Sequence, residues 1–391
     1  MTRRLLFLLH AGFVLTGIMT TFIGPLLPAF SERWSLSDFQ SGNFFTAQFL
    51  GSILGVVLSG IINHRSGFKV SIALGFAMMC AAAAALIGCS WSVGLVAIFC
   101  NGIGLGLVIP STNLLVAQTT HGNPSSALNL LNFSWGLGAT ACPFVVIRLL
   151  RLGGLTALLT TLAAAAALLV VIFGLGPSFR GHRRETLTSN PRPASTAPLI
   201  LLLGSLFFLY LGVESCIGGW LASYARRMVT ESGSFWMMSP SFFWGALLLG
   251  RAAAPSILKG ISEIKLARLG LMVALCGIWI LLRANSAATI IAGASLAGLG
   301  LAPVYPITIA RLSQEFGSDS PRLGGVMFAL AGLGGATLPW LVGFLSTRFA
   351  SLKVGLTLPL LGDAIMIVVY FLPARSTGSR TLKLSAVDAD S

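Results

Sequence analysis

Glu214 is the side chain in this sequence with the most chemistry to offer for its position. It lies mid-way along an apolar run, Tyr210-Leu-Gly-Val-Glu214-Ser-Cys-Ile-Gly-Gly-Trp220. A carboxyl group at membrane depth costs about 3 kcal/mol even on insertion scales, so it marks a function or a paired partner. Such a group can bind and release a proton, or hold one helix to another. A second set is uncharged: Gln48, Asn101, Asn113, Asn129 and Asn132, with Asn43 beside them, all inside apolar segments. Each amide both donates and accepts hydrogen bonds. Asn129, Asn132 and Trp135 recur at helical spacing, as do Trp220 and Tyr224. Amides beside flat aromatic rings are what a sugar requires, since hydroxyls want paired donors and acceptors and the ring faces want apolar surfaces. The same residues could equally serve as glue between helices.

Other polar groups carry less. Asp363 sits half-way along the last apolar segment, where a structural role is expected. Arg251, Arg148 and Arg283 lie toward segment ends, as snorkelling or gate cations do. His10 is a lone imidazole near the first segment's start and reads as packing. The six cysteines all fall in apolar stretches without a C-x-x-C or a paired histidine, so no metal or cofactor site is expected. Gly102-x-Gly104-x-Gly106 lacks the Gly-Lys-Ser/Thr ending of a phosphate loop. ATP is thereby excluded as a driving force, and no arrangement of nucleophile and base points to an enzyme.

The elements that must position these groups follow from composition. Only 9% of the 391 residues are charged and 55% are apolar, with mean hydropathy +0.89, whereas soluble domains carry about 25% charge. A membrane helix needs about 20 apolar residues, and twelve such spans fit: 5–30, 38–62, 70–90, 92–117, 127–150, 155–175, 198–224, 240–258, 264–283, 287–311, 322–348 and 352–372. The start, Arg3-Arg4 then Leu5, reads as the first span rather than a cleaved signal, because the apolar stretch runs on to Phe30. The 25 Lys and Arg against 11 Asp and Glu form no dense basic run, so the excess reports topology and not a nucleic-acid partner. Cations favour the even-numbered gaps and both tails by roughly two to one, which puts both termini in the cytoplasm.

Gly136-Leu-Gly-Ala-Thr-Ala-Cys-Pro143 is echoed by Gly332-Leu-Gly-Gly-Ala-Thr-Leu-Pro339, and Gly102-Ile-Gly-Leu-Gly-Leu107 by Gly298-Leu-Gly-Leu301 at nearly the same offset. The halves are therefore duplicates: an N-terminal six-helix bundle (1–175), a cytoplasmic linker (176–197), a C-terminal six-helix bundle (198–372) and a cytoplasmic tail (373–391). The fold class expected is an all-α membrane protein of twelve transmembrane helices in two pseudo-symmetric bundles. Duplicated halves with glycine-rich helices are a transporter signature.

Four segments carry a resemblance: Phe208 to Trp220, Ser241-Phe-Phe-Trp-Gly-Ala-Leu-Leu-Leu-Gly-Arg251, Ala297-Gly-Leu-Gly-Leu-Ala-Pro-Val-Tyr-Pro306, and Ser37-Asp-Phe-Gln-Ser-Gly42. On these the chain resembles major facilitator superfamily transporters, and among them the fucose/galactose/glucose proton symporter branch with its bacterial glucose/mannose permeases. The resemblance implies polar amides at Asn129 and Asn132 and the span 7 acid at Glu214. It also exposes departures. The branch has an acid in its broken first helix where this chain reads Ile23-Gly24-Pro25, and a Glu in helix 4 where it reads Val108-Ile109-Pro110. The superfamily's loop between spans 2 and 3 reads Gly60-Ile-Ile-Asn-His64-Arg65-Ser-Gly67-Phe-Lys69, with His64 in place of the usual Asp.

The expected function is transport of a small polar solute, a hexose-type sugar, by alternating access in a bacterial cytoplasmic membrane. The expected substrate-binding residues are Gln48, Asn113, Asn129, Asn132, Trp135, Trp220 and Tyr224. Glu214 is the ion-coupling candidate, and His64, Arg65 and Lys69 form the gating loop. A co-transported proton or sodium ion, the lipid bilayer and a monomeric state complete the expectation. The competing reading is an exporter of an amphipathic metabolite or drug, for which 25 Phe and 10 Met would give an adaptable cavity.

Overall fold

A computed structural model describes residues 3–120, 124–175, 197–229, 234–316 and 320–372. The tail at 373–391, and all of the 176–197 linker but Ala197, lie outside the described residues. Among the described residues there is no strand, and fourteen helical segments make twelve spans. Span 1 is α1 (Arg3–Thr21) with α2 (Ile23–Arg33), span 2 α3 (Asp38–Arg65), span 3 α4 (Phe68–Ala85) and span 4 α5 (Trp91–Thr119). Spans 5 and 6 form α6 (Pro124–Leu175), broken where Gly153 and Gly154 leave helical geometry, Gly154 at φ 68, a left-handed conformation that favours glycine. Spans 7, 8 and 9 are α7 (Ala197–Met228), α8 (Phe235–Ile257) and α9 (Glu263–Leu282). Span 10 is α10 (Ala287–Leu301) with α11 (Val304–Phe316), span 11 α12 (Ser320–Arg348), and span 12 α13 (Leu352–Gly355) with α14 (Thr357–Phe371).

By length and hydropathy, 10 helices qualify to cross a membrane. α6 counts once for two spans, and α8, with Arg251, Pro240 and Pro255 inside it, falls short. α8 nevertheless begins at Phe235, ahead of the expected 240, and carries Pro240 within its early turns. Local signals fix several starts. Ser37 and Gln40 form a reciprocal capping box ahead of span 2, and Ser286 and Thr289 do the same for span 10. Span 1 breaks at Phe22, three residues before Pro25, which has no N–H to return to the preceding turn. Span 10 breaks at Ala302-Pro303 for the same reason.

The sequence repeat is a repeat of packing. Gly138 meets the Val14 carbonyl where span 5 crosses span 1, and Gly334 meets the Phe208 carbonyl where span 11 crosses span 7. Gly104 sits against Gly75 between spans 4 and 3, and Gly300 against Gly270 between spans 10 and 9. A Cβ at these glycines would collide with the partner backbone, so close approach is what the repeated glycines supply. The molecule is thus two six-helix bundles. Spans 3, 6, 9 and 12 pack within their own half, for example through the Phe76 and Phe173 rings at 6.0 Å. Spans 1, 2 and 5 meet spans 7, 8 and 11 across the middle.

Candidate functional site

Two buried polar clusters lie one in each half. In the C-terminal half, Tyr210 and Glu214 stand one turn apart on span 7 and share a face. Arg251 of span 8 reaches that face, and its Nη2 donates to Glu214 Oε1 at 3.2 Å and to the Tyr210 hydroxyl at 3.1 Å. The Tyr305 ring of span 10 stacks on Tyr210 at 5.1 Å. Gly250, pressed on Ala302 and Leu299, lets span 8 pack closely on span 10. Glu214's side chain is 6% exposed and that of Arg251 28%. A buried charge needs its partner, because an unpaired one would be strongly destabilising.

In the N-terminal half the cluster is made of amides. Asn101 Nδ2 donates to the Met19 carbonyl at 3.0 Å and to Gln48 Oε1 at 3.3 Å. Gln48 Nε2 in turn donates to the Thr20 carbonyl at 2.9 Å. Both carbonyls lie just ahead of the break in span 1. Trp135 Nε1 of span 5 donates to Thr20 Oγ1 at 3.3 Å, and its ring meets Trp244 of the other half edge to face at 5.8 Å. Asn101 Oδ1 and Trp244 Nε1 are buried without a hydrogen-bond partner among the described residues.

The contacts joining the halves have a direction. At the end away from the termini, Arg227 donates twice to Asp38, at 2.7 and 2.6 Å, and Ser346 donates to the same carboxylate. Arg226 pairs with Glu32. The Phe39 N–H meets Thr347 at 2.8 Å, and Arg151 meets Ser234 at 2.9 Å. Nearer the middle come Thr46 to the Ala336 carbonyl and Ser241 to the Thr140 carbonyl, then Gly136 against Leu248 and Gly332 against Ile53. Toward the termini the same stripes continue without such partners. At about 3.6 residues per turn, Asn132 and Asn129 extend the stripe of Gly136 and Thr140, and both are exposed. Arg251 and Pro255 likewise extend the stripe of Trp244 and Leu248.

Of the residues singled out in the sequence, Glu214, Gln48 and Trp135 lie in the two clusters. Asn129 and Asn132 stand on the seam nearer the termini, where Asn132 Nδ2 donates only along its own helix, to the Leu128 carbonyl at 2.9 Å. Asn113 is half-buried in the terminal half of span 4, its Oδ1 buried and unpartnered among the described residues. Trp220 and Tyr224 stand apart from the clusters. Trp220 is fully buried with its indole N–H on the Pro339 carbonyl at 2.9 Å, and the Tyr224 hydroxyl donates to the Leu281 carbonyl at 2.7 Å. His64 and Arg65 are exposed, and Lys69 is half-buried, at the terminal end between spans 2 and 3. The sequence reading did not pair Arg251 with Glu214, nor did it join Asn101 to Gln48, or Asp38 to Arg227. Each pair is far apart in the chain; the available signal was that Glu214 and Arg251 are opposite charges on successive spans. Asp363 is fully buried, with neither oxygen partnered among the described residues. No group of three or more His, Cys, Asp or Glu among the described residues could hold a metal ion.

Comparison with known proteins gives consistent results. The family model described as Major Facilitator Superfamily matches residues 9–319. The sodium-dependent glucose transporter 1A of Mus musculus is 23% identical over 93% of this chain and 94% of its own. The glucose/mannose transporter of Bacillus subtilis is 22% identical over 86% of each. A crystal structure of the fucose:proton symporter of E. coli overlays with a TM-score of 0.63 at 18% identity, over 94% of this chain and 98% of that one.

Proposed function

This chain belongs to the Major Facilitator Superfamily, and from that premise we propose that it carries a small polar solute of the hexose type across the membrane by alternating access. The family is one of transporters, and the protein is an integral membrane protein. The observation that supports the reading best is a seam between two bundles, closed by ion pairs at one end and carrying exposed Asn129 and Asn132 toward the other. With the termini in the cytoplasm of a bacterial cell, this is an inward-facing arrangement.

In that arrangement Asn129 and Asn132 offer donors and acceptors to hydroxyl groups and the Trp135 ring offers a flat face, while Gln48, engaged by Asn101 and Thr20, and Asn113 would have to turn to reach a solute. Trp220 and Tyr224 would support the wall from behind. The related glucose, mannose and fucose carriers bear on the solute class. Glu214 is the coupling candidate. A proton or sodium ion on its carboxylate would weaken its hold on Arg251, so that binding changes how spans 7 and 8 sit together. The bundles 1–175 and 198–372 would move as two bodies in a monomer, with His64, Arg65 and Lys69 at the cytoplasmic mouth.

The test is counterflow. Proteoliposomes preloaded with unlabelled glucose, mannose, galactose or fucose are given the same sugar labelled in trace, with no ion gradient. Transient accumulation of label is the expected result. Absence of label uptake with every hexose, in protein that elutes as a single folded species, would overturn the hexose reading and favour export of an amphipathic compound.

A further inference from the structure

A cavity of about 370 Å³ lies at the end away from the termini, between span 1 and span 7. Its size is that of small-molecule pockets, about 300–1,000 Å³. Ser31, Glu32 and Ser35 line it from the N-terminal half, and Ser223, Arg226 and Arg227 from the C-terminal half. Pro28 and Leu36 add an apolar patch. The charges around it are already matched: Arg226 pairs with Glu32, and both Arg227 Nη groups with Asp38. An ionic ligand therefore finds no charge to neutralise, and what the lining leaves over is hydroxyl groups. The Ser35 and Ser223 hydroxyls make no hydrogen bond among the described residues. Ser35 stands at φ 52, in the left-handed region where glycine is the easier residue. The Leu36 N–H closes that turn on the Ser31 carbonyl at 2.9 Å. A hydroxyl that the fold does not use is thus held on the cavity wall at a conformational cost.

We infer that this cavity is a second, outer binding site for a neutral polyhydroxylated solute of the hexose class. Solute hydroxyls donate to the Glu32 carboxylate and accept from Ser35, Ser223 and Arg226. The C–H face of the ring lies on Pro28 and Leu36. This adds a site to the transport reading above and rests on it for the hexose class; the lining itself calls for a neutral, hydroxyl-bearing ligand. The two walls belong to different halves, so an occupant touches both and must leave before they part at this end. Bound solute therefore favours the arrangement shut at its outer end, because a ligand shifts a population toward the state that binds it better.

The experiment uses the full chain in proteoliposomes, without its six native cysteines and with Leu36→Cys, half-buried on the cavity wall. An impermeant maleimide in the medium labels carriers whose outer end faces it. Glucose, mannose, galactose and fucose are added in turn, and at least one should suppress labelling saturably, to about a fifth or less. In Thr347→Cys, at the same end but outside the cavity, labelling should not respond to the sugar. Ser223→Ala added to Leu36→Cys should raise the half-protecting concentration about fivefold, the worth of one neutral hydrogen bond. All variants should elute as a single species in detergent, which separates lost binding from lost fold. Equal suppression in Thr347→Cys would show movement of the whole seam and overturn the outer site, as would an unchanged half-protecting concentration with Ser223→Ala. Counterflow of a hexose with no protection by any of the four would overturn the outer site and leave the transport reading standing. Protection without counterflow would keep the outer site and overturn hexose transport, and the absence of both would overturn both.

Discussion

The seal at the end away from the termini can be tested at Asp38, where spans 2, 7 and 11 converge. Its carboxylate takes two bonds from Arg227 and one from Ser346; Asp38 is 13% exposed and Arg227 44%. Exposed ion pairs contribute about 0.2–1 kcal/mol, and charge-assisted bonds to a buried group about 1.5–3 kcal/mol. A pair with one member buried and one half in water falls between these, at about 1.4 kcal/mol, or a tenfold change in population. All of it is lost when the halves separate at this end, so Asp38→Asn should raise the population open at this end about tenfold. The assay is labelling of a single cysteine at Ser223, only 5% exposed in the closed seam, by an impermeant maleimide in a background without the six native cysteines. Where opening is fast relative to labelling, the rate follows the open population. The rate should rise about tenfold in Asp38→Asn and by a similar factor in Arg227→Gln, with the double variant no faster than either, since both changes remove one interaction. An unchanged rate in Asp38→Asn, or additive effects in the double variant, would refute the reasoning.

Glu214→Gln should abolish gradient-driven accumulation while leaving exchange measurable by counterflow; unchanged accumulation would take Glu214 out of coupling. Gly334→Val, which thrusts a branched side chain at the Phe208 carbonyl, should abolish recovery of folded protein. Gly60→Ala, with open space around it, should leave recovery unchanged, and equal recovery of the two variants would contradict the packing argument. Gln48→Leu removes the acceptor for Asn101 and the donor to Thr20. It should lower stability by about 1–3 kcal/mol, read as a fall in melting temperature in detergent, as expected for orphaned buried polar groups.

The architecture was legible because the bilayer imposes it: twelve apolar stretches of the right length leave few other folds, and the Gly136 and Gly332 strings announce that one half repeats the other. The break expected between 150 and 155 falls at Gly153 and Gly154, which leave helical geometry. The pairing of side chains was not legible. Glu214 stood out by its type, but Arg251 resembled any cation near a helix end, and only the packing of span 8 against span 7 brings it to Glu214. Trp220 and Tyr224 have the composition of a sugar platform, yet their polar atoms are engaged by the carbonyls of Pro339 and Leu281. Helical spacing gives a face and not what the face meets.

Glycines bring backbones together between the halves as well as within them: a Cβ at Gly24 of span 1 would strike the Gly218 carbonyl of span 7, and one at Gly343 of span 11 the Asp38 carbonyl of span 2. Within a half, glycines sit directly on the neighbouring backbone, as Gly138 does on Val14 and Gly334 on Phe208, and close-packed seams of this sort resist continuous deformation. Between the halves, the contacts at the end away from the termini add side-chain ion pairs with half-exposed members, Arg226 with Glu32 and Arg227 with Asp38. The exposed Arg226 pair is worth about 0.2–1 kcal/mol and the half-buried Asp38 pair about 1.4 kcal/mol, and water can replace each when the seam parts. These pairs must break for the opposite face to open. The Glu214 and Arg251 pair joins spans 7 and 8 within the C-terminal half, so a change at that pair reaches the seam through span 8, whose Trp244 meets Trp135 of the other half.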